Sequence, residues 1–429
     1  MLLAQRRHLT HAAGDVVTTV ILGSGIIGTT TAYYLAKAGE KVIVLDRQSD
    51  VALETSFANA GLIAPGHSYT WASPEAPWIL LKSLVHGGQS LRLKLGTDWR
   101  MYAWCWEFLK NCTTEKALLN TGRKVRLAMY SQVQLNALMQ AEQLDFQGAS
   151  KGLLYLHRDR AALDRAVAAM TVLTDAGLEL NVLHPQQIVQ MEPALRSSAD
   201  QLAGALYCPT DQTGDARLFT QALYERCIAL GVEFRFNTKV LRIRAGDVVE
   251  AIETSDGTVV AERYVLAFGS YSPITARDLG YQLPIYPVKG YSATFPTHAD
   301  HIPPTVGGVD EQNLIAWAPF EGRLRVTATA EFAGYDTTHS PGDFEHMIGA
   351  ARRLFPQGAD YSKPSFWAGL RPMTPNGTPL IGPTRHRNFF LNVGHGHLGW
   401  TWACGTAKIV SDFVQGRAPD IDLAGLTMM

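Results

Sequence analysis

The sequence predicts an α/β protein in which a Rossmann-like dinucleotide-binding domain is joined to a second, α+β substrate domain built on an antiparallel sheet. Three observations predict it. An apolar β-branched run at residues 16–22 leads into Gly23-Ser24-Gly25-Ile26-Ile27-Gly28, which opens a small-residue helix ending near Gly39. A second buried strand at 41–45 then closes on Asp46. Far from that βαβ unit, long strand-like stretches at 286–295 and 314–329 are interrupted by Pro and Gly turns, as in an antiparallel sheet.

The elements between them follow in order. Residues 76–145 turn aromatic-rich and helical, with Val125, Met129 and Val133 at i, i+4 spacing, and form a separate layer. A helix over 159–176 is capped by Asp159 and stopped by Gly177. A helix over 215–230 carries Leu218, Phe219, Ala222, Leu223, Cys227 and Leu230 on one face and ends at Gly231. Strands follow at 232–236, 248–254 and 264–268, the last running into Gly269-Ser270, where a backbone free of side chains suits a ligand. A helix at 341–355, Gly-rich turns at 369–372 and 394–399, and a helix to about 414 complete the chain. The cofactor domain is therefore expected from 16–75, 206–285 and 366–418, the substrate domain from 76–205 and 286–365, and residues 1–15 as a loose N-terminal extension.

Composition narrows the function. With 46% hydrophobic and 18% charged residues the chain reads as folded and globular, and 429 residues suffice for two cores around a large cofactor. A formal charge of −1 gives no field that would gather nucleic acid. The five cysteines form no C-x-x-C pair, so they read as reduced thiols in a cytoplasmic protein, and no metal site is expected. No apolar run approaches the roughly 18 residues of a membrane-spanning helix.

In the first motif Gly23 makes the tight turn, Gly25 admits a pyrophosphate to the backbone, and Gly28 lets helix and strand pack closely. The helix N-terminus offers N–H donors to the phosphates, and Asp46 can accept hydrogen bonds from ribose hydroxyls. The motif suits FAD and NAD alike.

Later segments separate them. Glu54-Thr55-Ser56-x-Ala58-Asn59-Ala60-Gly61, Ala267-Phe268-Gly269-Ser270-Tyr271-Ser272 and Tyr286-Pro287-Val288-Lys289-Gly290-Tyr291-Ser292 resemble the D-amino-acid oxidase superfamily, in particular its dehydrogenase branch. Gly369-Leu370-Arg371-Pro372-Met373-Thr374-Pro375 and Gly394-His395-Gly396-x-Leu398-Gly399-Trp400-Thr401 extend the resemblance in register from about residue 16 to the C-terminus. It implies an FAD-binding domain of the glutathione-reductase type. It also implies oxidation of a D-amino acid such as D-alanine to a 2-oxo acid and ammonia, by hydride transfer from Cα to flavin N5. The electrons would pass to a quinone or an artificial acceptor. No Cys or His stands in an attachment motif, so noncovalent FAD is expected.

Residue by residue, the resemblance implies cofactor contacts from Gly23, Gly25, Ile26, Ile27 and Gly28, from Asp46 and Arg47, and from Thr55, Ser56, Asn59, Ala60, Gly61 and Leu62. Val240, Gly269 and Gly369 follow, then Gly394, Gly396, Leu398, Gly399, Trp400 and Thr401. Arg371 matches the arginine that grips the substrate carboxylate bidentately. Lys289 is expected near the flavin or that carboxylate, and His395 in the C-terminal glycine turn. The tyrosine of oxidase relatives has no counterpart in Leu314-Ile315-Ala316-Trp317, and Tyr291 is the nearest substitute. His397 stands where a smaller polar residue is usual, and Thr327-Ala328 where a Gly-Gly pair is common.

A secondary-amine dehydrogenase acting on D-proline, hydroxyproline or sarcosine is the alternative, since Arg371 would hold any such carboxylate, and a non-catalytic electron-transfer flavoprotein is the alternative of another class. An NAD-dependent dehydrogenase rests on the first βαβ unit alone. Trp71, Trp78, Trp99, Trp104 and Trp106 fall beside Lys82, Arg92, Lys94 and Arg100, a composition suited to a membrane interface. With the resemblance, it implies peripheral contact with the inner face of the bacterial inner membrane.

Overall fold

The computed structural model describes residues 17–86, 91–94 and 96–428. The expected N-terminal extension, 1–15, lies outside them.

The first sheet has six strands in the order Leu380–Pro383, Phe389–Val393, Arg263–Leu266, Thr18–Leu22, Lys41–Leu45, Glu233–Arg235. All neighbours are parallel except the first pair. Such a sheet is covered on both faces, which is why its strands read as unbroken apolar runs. Ile21, Val42 and Val44 face a core shared with the helices Ile26–Lys37, Ala216–Ala229 and Gly399–Val414 and with part of Thr114–Glu142. The alternating residues Val20, Leu22, Ile43 and Leu45 face the antiparallel meander Val240–Ala245, Val249–Thr254, Gly257–Val259.

The second sheet runs Ser365–Met373, Tyr286–Pro296, Arg323–Phe332, Ile315–Phe320, Gly307–Asp310, Leu153–His157, Gly204–Cys208, Asn181–Leu183, and Leu91–Leu93 adds beside Arg323–Phe332. It is mostly antiparallel; Gly307–Asp310 with Leu153–His157, and Leu91–Leu93 with its neighbour, are parallel. Helix Glu345–Leu354 packs on one face against Tyr291, Ala293, Phe295 and Val326. Gly204–Cys208 and Ser365–Met373 both belong to this sheet, crossing the expected divisions at 206 and 366.

Two sequence expectations differ locally. The helix expected over 159–176 is two pieces, Arg160–Ala169 and Thr171–Thr174, the first capped by the Asp159 carboxylate on Ala162 N–H. Val133 is 63% exposed, so the i, i+4 row through it is not a core stripe. Helix Thr114–Glu142 instead serves two cores, Val125 entering one and Leu127, Ala128, Leu135 and Leu138 the other.

Candidate active site

The site is a cavity of about 970 Å³ between the two sheets, at the upper end of the roughly 300–1,000 Å³ usual for cofactor pockets. It extends from Asp46, Arg47 and Val240, past the glycine turn, to Arg371.

The three glycines of that turn differ in what surrounds them. Gly23 has φ +114°, and a Cβ there would lie 2.7 Å from the Ala267 carbonyl. A Cβ on Gly28 would lie 1.8 Å from Gly23 O, so Gly28 is demanded by packing within the motif and does not line the cavity. Gly25 is different: its Cβ would meet only Ser56 Oγ, at 3.4 Å, and the residue borders the cavity. The protein leaves that space open, as a closely approaching pyrophosphate requires. Helix Ile26–Lys37 begins there, and Ser56 Oγ accepts the Ile26 N–H at 3.1 Å. These residues fit the dinucleotide end of FAD.

Asp46 is buried, and its carboxylate accepts from Ser24 N–H at 2.6 Å, Ser24 Oγ at 2.7 Å and Gln48 N–H at 2.9 Å. It therefore fixes the glycine turn while bordering the cavity. Arg47 is tied to Glu54 at 2.5 Å and lies over the Tyr271 ring at 4.0 Å. Thr55 Oγ1 donates to Leu370 O at 2.7 Å, joining the segment 54–61 to the strand that carries Arg371. Asn59, Ala60, Gly61, Leu62, Gly269 and Gly369 border the cavity, as do Gly396, Leu398, Gly399 and Trp400 at the start of helix Gly399–Val414.

Gly394 and Thr401 do not line it. Gly394 has φ +79° and a Cβ there would lie 2.9 Å from Thr374 Cγ2, while Thr401 Oγ1 accepts from Ala64 N–H at 3.0 Å. Both hold the C-terminal turn in place.

Arg371 stands at the other end. Val288, Gly290, Gly369 and Arg371 share one face of the paired strands, because directly opposed residues point the same way and alternate ones point oppositely. The guanidinium lies over Gly290, where a Cβ would be 2.4 Å from Arg371 Cζ. Its Nη1 donates to Thr329 O at 2.8 Å. Thr329 has φ +63°, unusual for a β-branched residue, at a bulge where Thr329 and Ala330 face the single residue Gly290. Among the described residues no acidic side chain forms an ion pair with Arg371. Burial lowers its pKa to about 10, and it remains a cation at neutral pH.

The same alternation corrects Lys289. It lies on the opposite face from Arg371, does not line the cavity, and is buried with Nζ donating to Thr338 O at 2.9 Å and 3.4 Å from Glu331. Tyr291 reaches the cavity wall, but its hydroxyl is committed to Glu331. Neither is placed to take the substrate carboxylate. His395 borders the cavity, yet burial drives its pKa down to about 3 and Nε2 pairs with Thr406 Oγ1 at 3.0 Å, so it anchors helix Gly399–Val414 as a neutral ring.

Sequence reasoning missed the far wall. His67 Nε2 lies 3.0 Å from Glu311 Oε1, and both border the cavity. Burial lowers the His67 pKa, but the Glu311 carboxylate outweighs it and the net shift is upward. His397 stacks on Trp71 at 5.0 Å, and burial together with Lys124, His67 and Arg371 keeps it uncharged. Lys124, buried with Nζ on Tyr69 O at 2.5 Å, has its own pKa lowered to about 7 by burial.

The tryptophan cluster divides. Trp104 is buried, with Nε1 on Met373 O at 2.9 Å, and Trp71 lines the cavity. Trp78, Trp99 and Trp106 are 67%, 68% and 62% exposed. No helix among the described residues is long and apolar enough to cross a membrane.

A family model described as FAD dependent oxidoreductase (DAO) matches residues 18–413. D-amino acid dehydrogenase of Methylobacterium radiotolerans is 46% identical over 404 residues, covering 94% of this chain and 96% of that protein. Among solved structures, glycine oxidase from Geobacillus kaustophilus superposes with a TM-score of 0.73 at 23% identity, over 96% of this chain and 99% of that one. L-proline dehydrogenase from P. horikoshii gives 0.73 at 16% identity, over 96% and 97%. At these identities the two structures establish the shared fold.

Proposed function

The chain belongs to the DAO family of FAD-dependent oxidoreductases, and from that premise we propose that it oxidises D-amino acids, D-alanine among them, to 2-oxo acids and ammonia. The observation that carries this reading is Arg371: a half-buried cation at the cavity end, held by backbone carbonyls and with no ion-pairing carboxylate among the described residues. A substrate carboxylate supplies that partner, and the planar fork fixes the direction of the Cα–H bond. FAD, held noncovalently, supplies the hydride acceptor when bound. The protein's part is orientation and exclusion of water, with His395 and His397 uncharged near the turn.

Electrons leave to a quinone or an artificial acceptor at the membrane surface. Trp78, Trp99 and Trp106 support this docking, as does Ile79, which is exposed and also borders the cavity.

The test is anaerobic mixing of the purified flavoprotein with D-alanine, L-alanine and D-proline while flavin absorbance is followed. Bleaching by D-alanine alone is expected. Bleaching by D-proline alone would make the chain a secondary-amine dehydrogenase.

A further inference from the structure

A second cavity, of about 430 Å³, lies behind the segment 54–61. Ala58 and Trp367 line both cavities and form the wall between them. Three guanidiniums, from Arg217, Arg323 and Arg325, meet there, and among the described residues Asp215 is the one acidic side chain in its lining.

That carboxylate is already saturated. Its Oδ2 accepts from Arg323 Nη1 at 2.8 Å and Arg325 Nη2 at 3.0 Å, and its Oδ1 from the N–H groups of Arg217 and Leu218 at 2.9 and 3.3 Å. Three positive charges thus face one negative charge. Arg325 is only 5% exposed, and its pKa falls through burial and the neighbouring Arg323 and Arg217, with Asp215 opposing. Arg217 lies over the Phe57 ring at 4.2 Å, and its buried Nε has no hydrogen-bond partner. An unpaired donor so placed costs stability unless an acceptor reaches it. Phe57 in turn stacks on Trp367 at 6.3 Å, giving the cavity one flat apolar wall beside its cationic one.

We propose that this cavity is a second binding site, for a small oxyanion, either a phosphate or an organic carboxylate, gripped by Arg217 with Arg323 and Arg325. Planar guanidinium forks suit both anions, and the excess of positive charge supplies the attraction. Because Arg325 Nη1 also reaches Asn59 O at 3.4 Å, the occupant would touch the support of the segment 54–61.

The proposal is independent of the amino-acid substrate. Inorganic phosphate and, separately, succinate are titrated into the FAD-bound protein at constant ionic strength and followed by calorimetry. The Arg371→Ala background removes any carboxylate binding in the first cavity. Saturable binding of phosphate, weakened roughly tenfold or more by Arg217→Gln and by Gln221→Glu, supports a phosphate occupant. The same result with succinate alone supports an organic carboxylate. Absence of saturable binding by either anion, or binding indifferent to both substitutions, overturns the site. Bleaching of the flavin by D-alanine reads the proposed activity separately.

Discussion

Gly290 is the residue that makes room for Arg371: a side chain at 290 would place its Cβ 2.4 Å from the guanidinium carbon. The two positions are on neighbouring strands, 290 opposite 369 and 288 opposite 371. Gly290→Ala therefore displaces the guanidinium while leaving the dinucleotide end of the cavity untouched. The expected result is a KM for D-alanine raised roughly tenfold to a hundredfold, with flavin still bound, since misplacing a charge-assisted contact costs about 1.5–3 kcal/mol. Steady-state kinetics with the visible spectrum as control check it. An unchanged KM would mean that the carboxylate is held elsewhere.

What the sequence made legible follows the range of the interactions involved. The glycine turn and Asp46 lie within one βαβ unit, so spacing alone located them. Lys289 was misplaced although its strand was expected, because matching a motif does not say which face a residue occupies. The period of two, counted from Gly290 and Arg371, would have put Lys289 on the far side. His67 and Glu311 are 244 positions apart, and no local pattern joins them. Likewise the left-handed Thr329 follows from a bulge in strand pairing rather than from a glycine in the sequence.

Gly25 and Gly28 differ in what they serve, and substitution separates them. Gly25→Ala has room within the protein and is expected to fold with a Tm close to that of the unsubstituted apoprotein, yet purify with little flavin. Gly28→Ala forces its Cβ against Gly23 O and is expected to lose at least about 1–3 kcal/mol of stability whether or not flavin is present. Thermal unfolding of the apoproteins and the ratio of flavin to protein absorbance distinguish the two. Equal Tm losses would contradict the assignment of Gly25 to the ligand.

Trp78 and Trp106 are exposed on separate helices, Ala76–His86 and Trp99–Asn111, and burying apolar surface is worth roughly 25 cal/mol per Å². The double substitution Trp78→Ser with Trp106→Ser is expected to weaken sedimentation with anionic lipid vesicles by about tenfold or more while preserving turnover with a soluble dye acceptor. Unchanged sedimentation would remove these helices from the docking surface.

The His67–Glu311 pair carries a pH dependence whose sign can be worked out. Burial lowers the His67 pKa, but Glu311 more than reverses it, so the folded value lies above the unfolded one of about 6.5. That contribution to stability is complete below about pH 6.5 and is lost as pH rises through the folded value. For Glu311, burial raises the pKa and His67 lowers it, with a net fall. Its contribution is present above about pH 4.3 and is lost as pH falls through the folded value. The pair is therefore strongest between those limits. The Tm difference between the unsubstituted protein and His67→Gln is expected to be larger near pH 6 than near pH 9, because the contribution of the protonated ring diminishes as pH rises through the folded value. Differential scanning calorimetry at the two pH values measures it. A difference that grows toward alkaline pH would show that His67 is held as the neutral ring and that Glu311 finds its counter-charge elsewhere in the cavity.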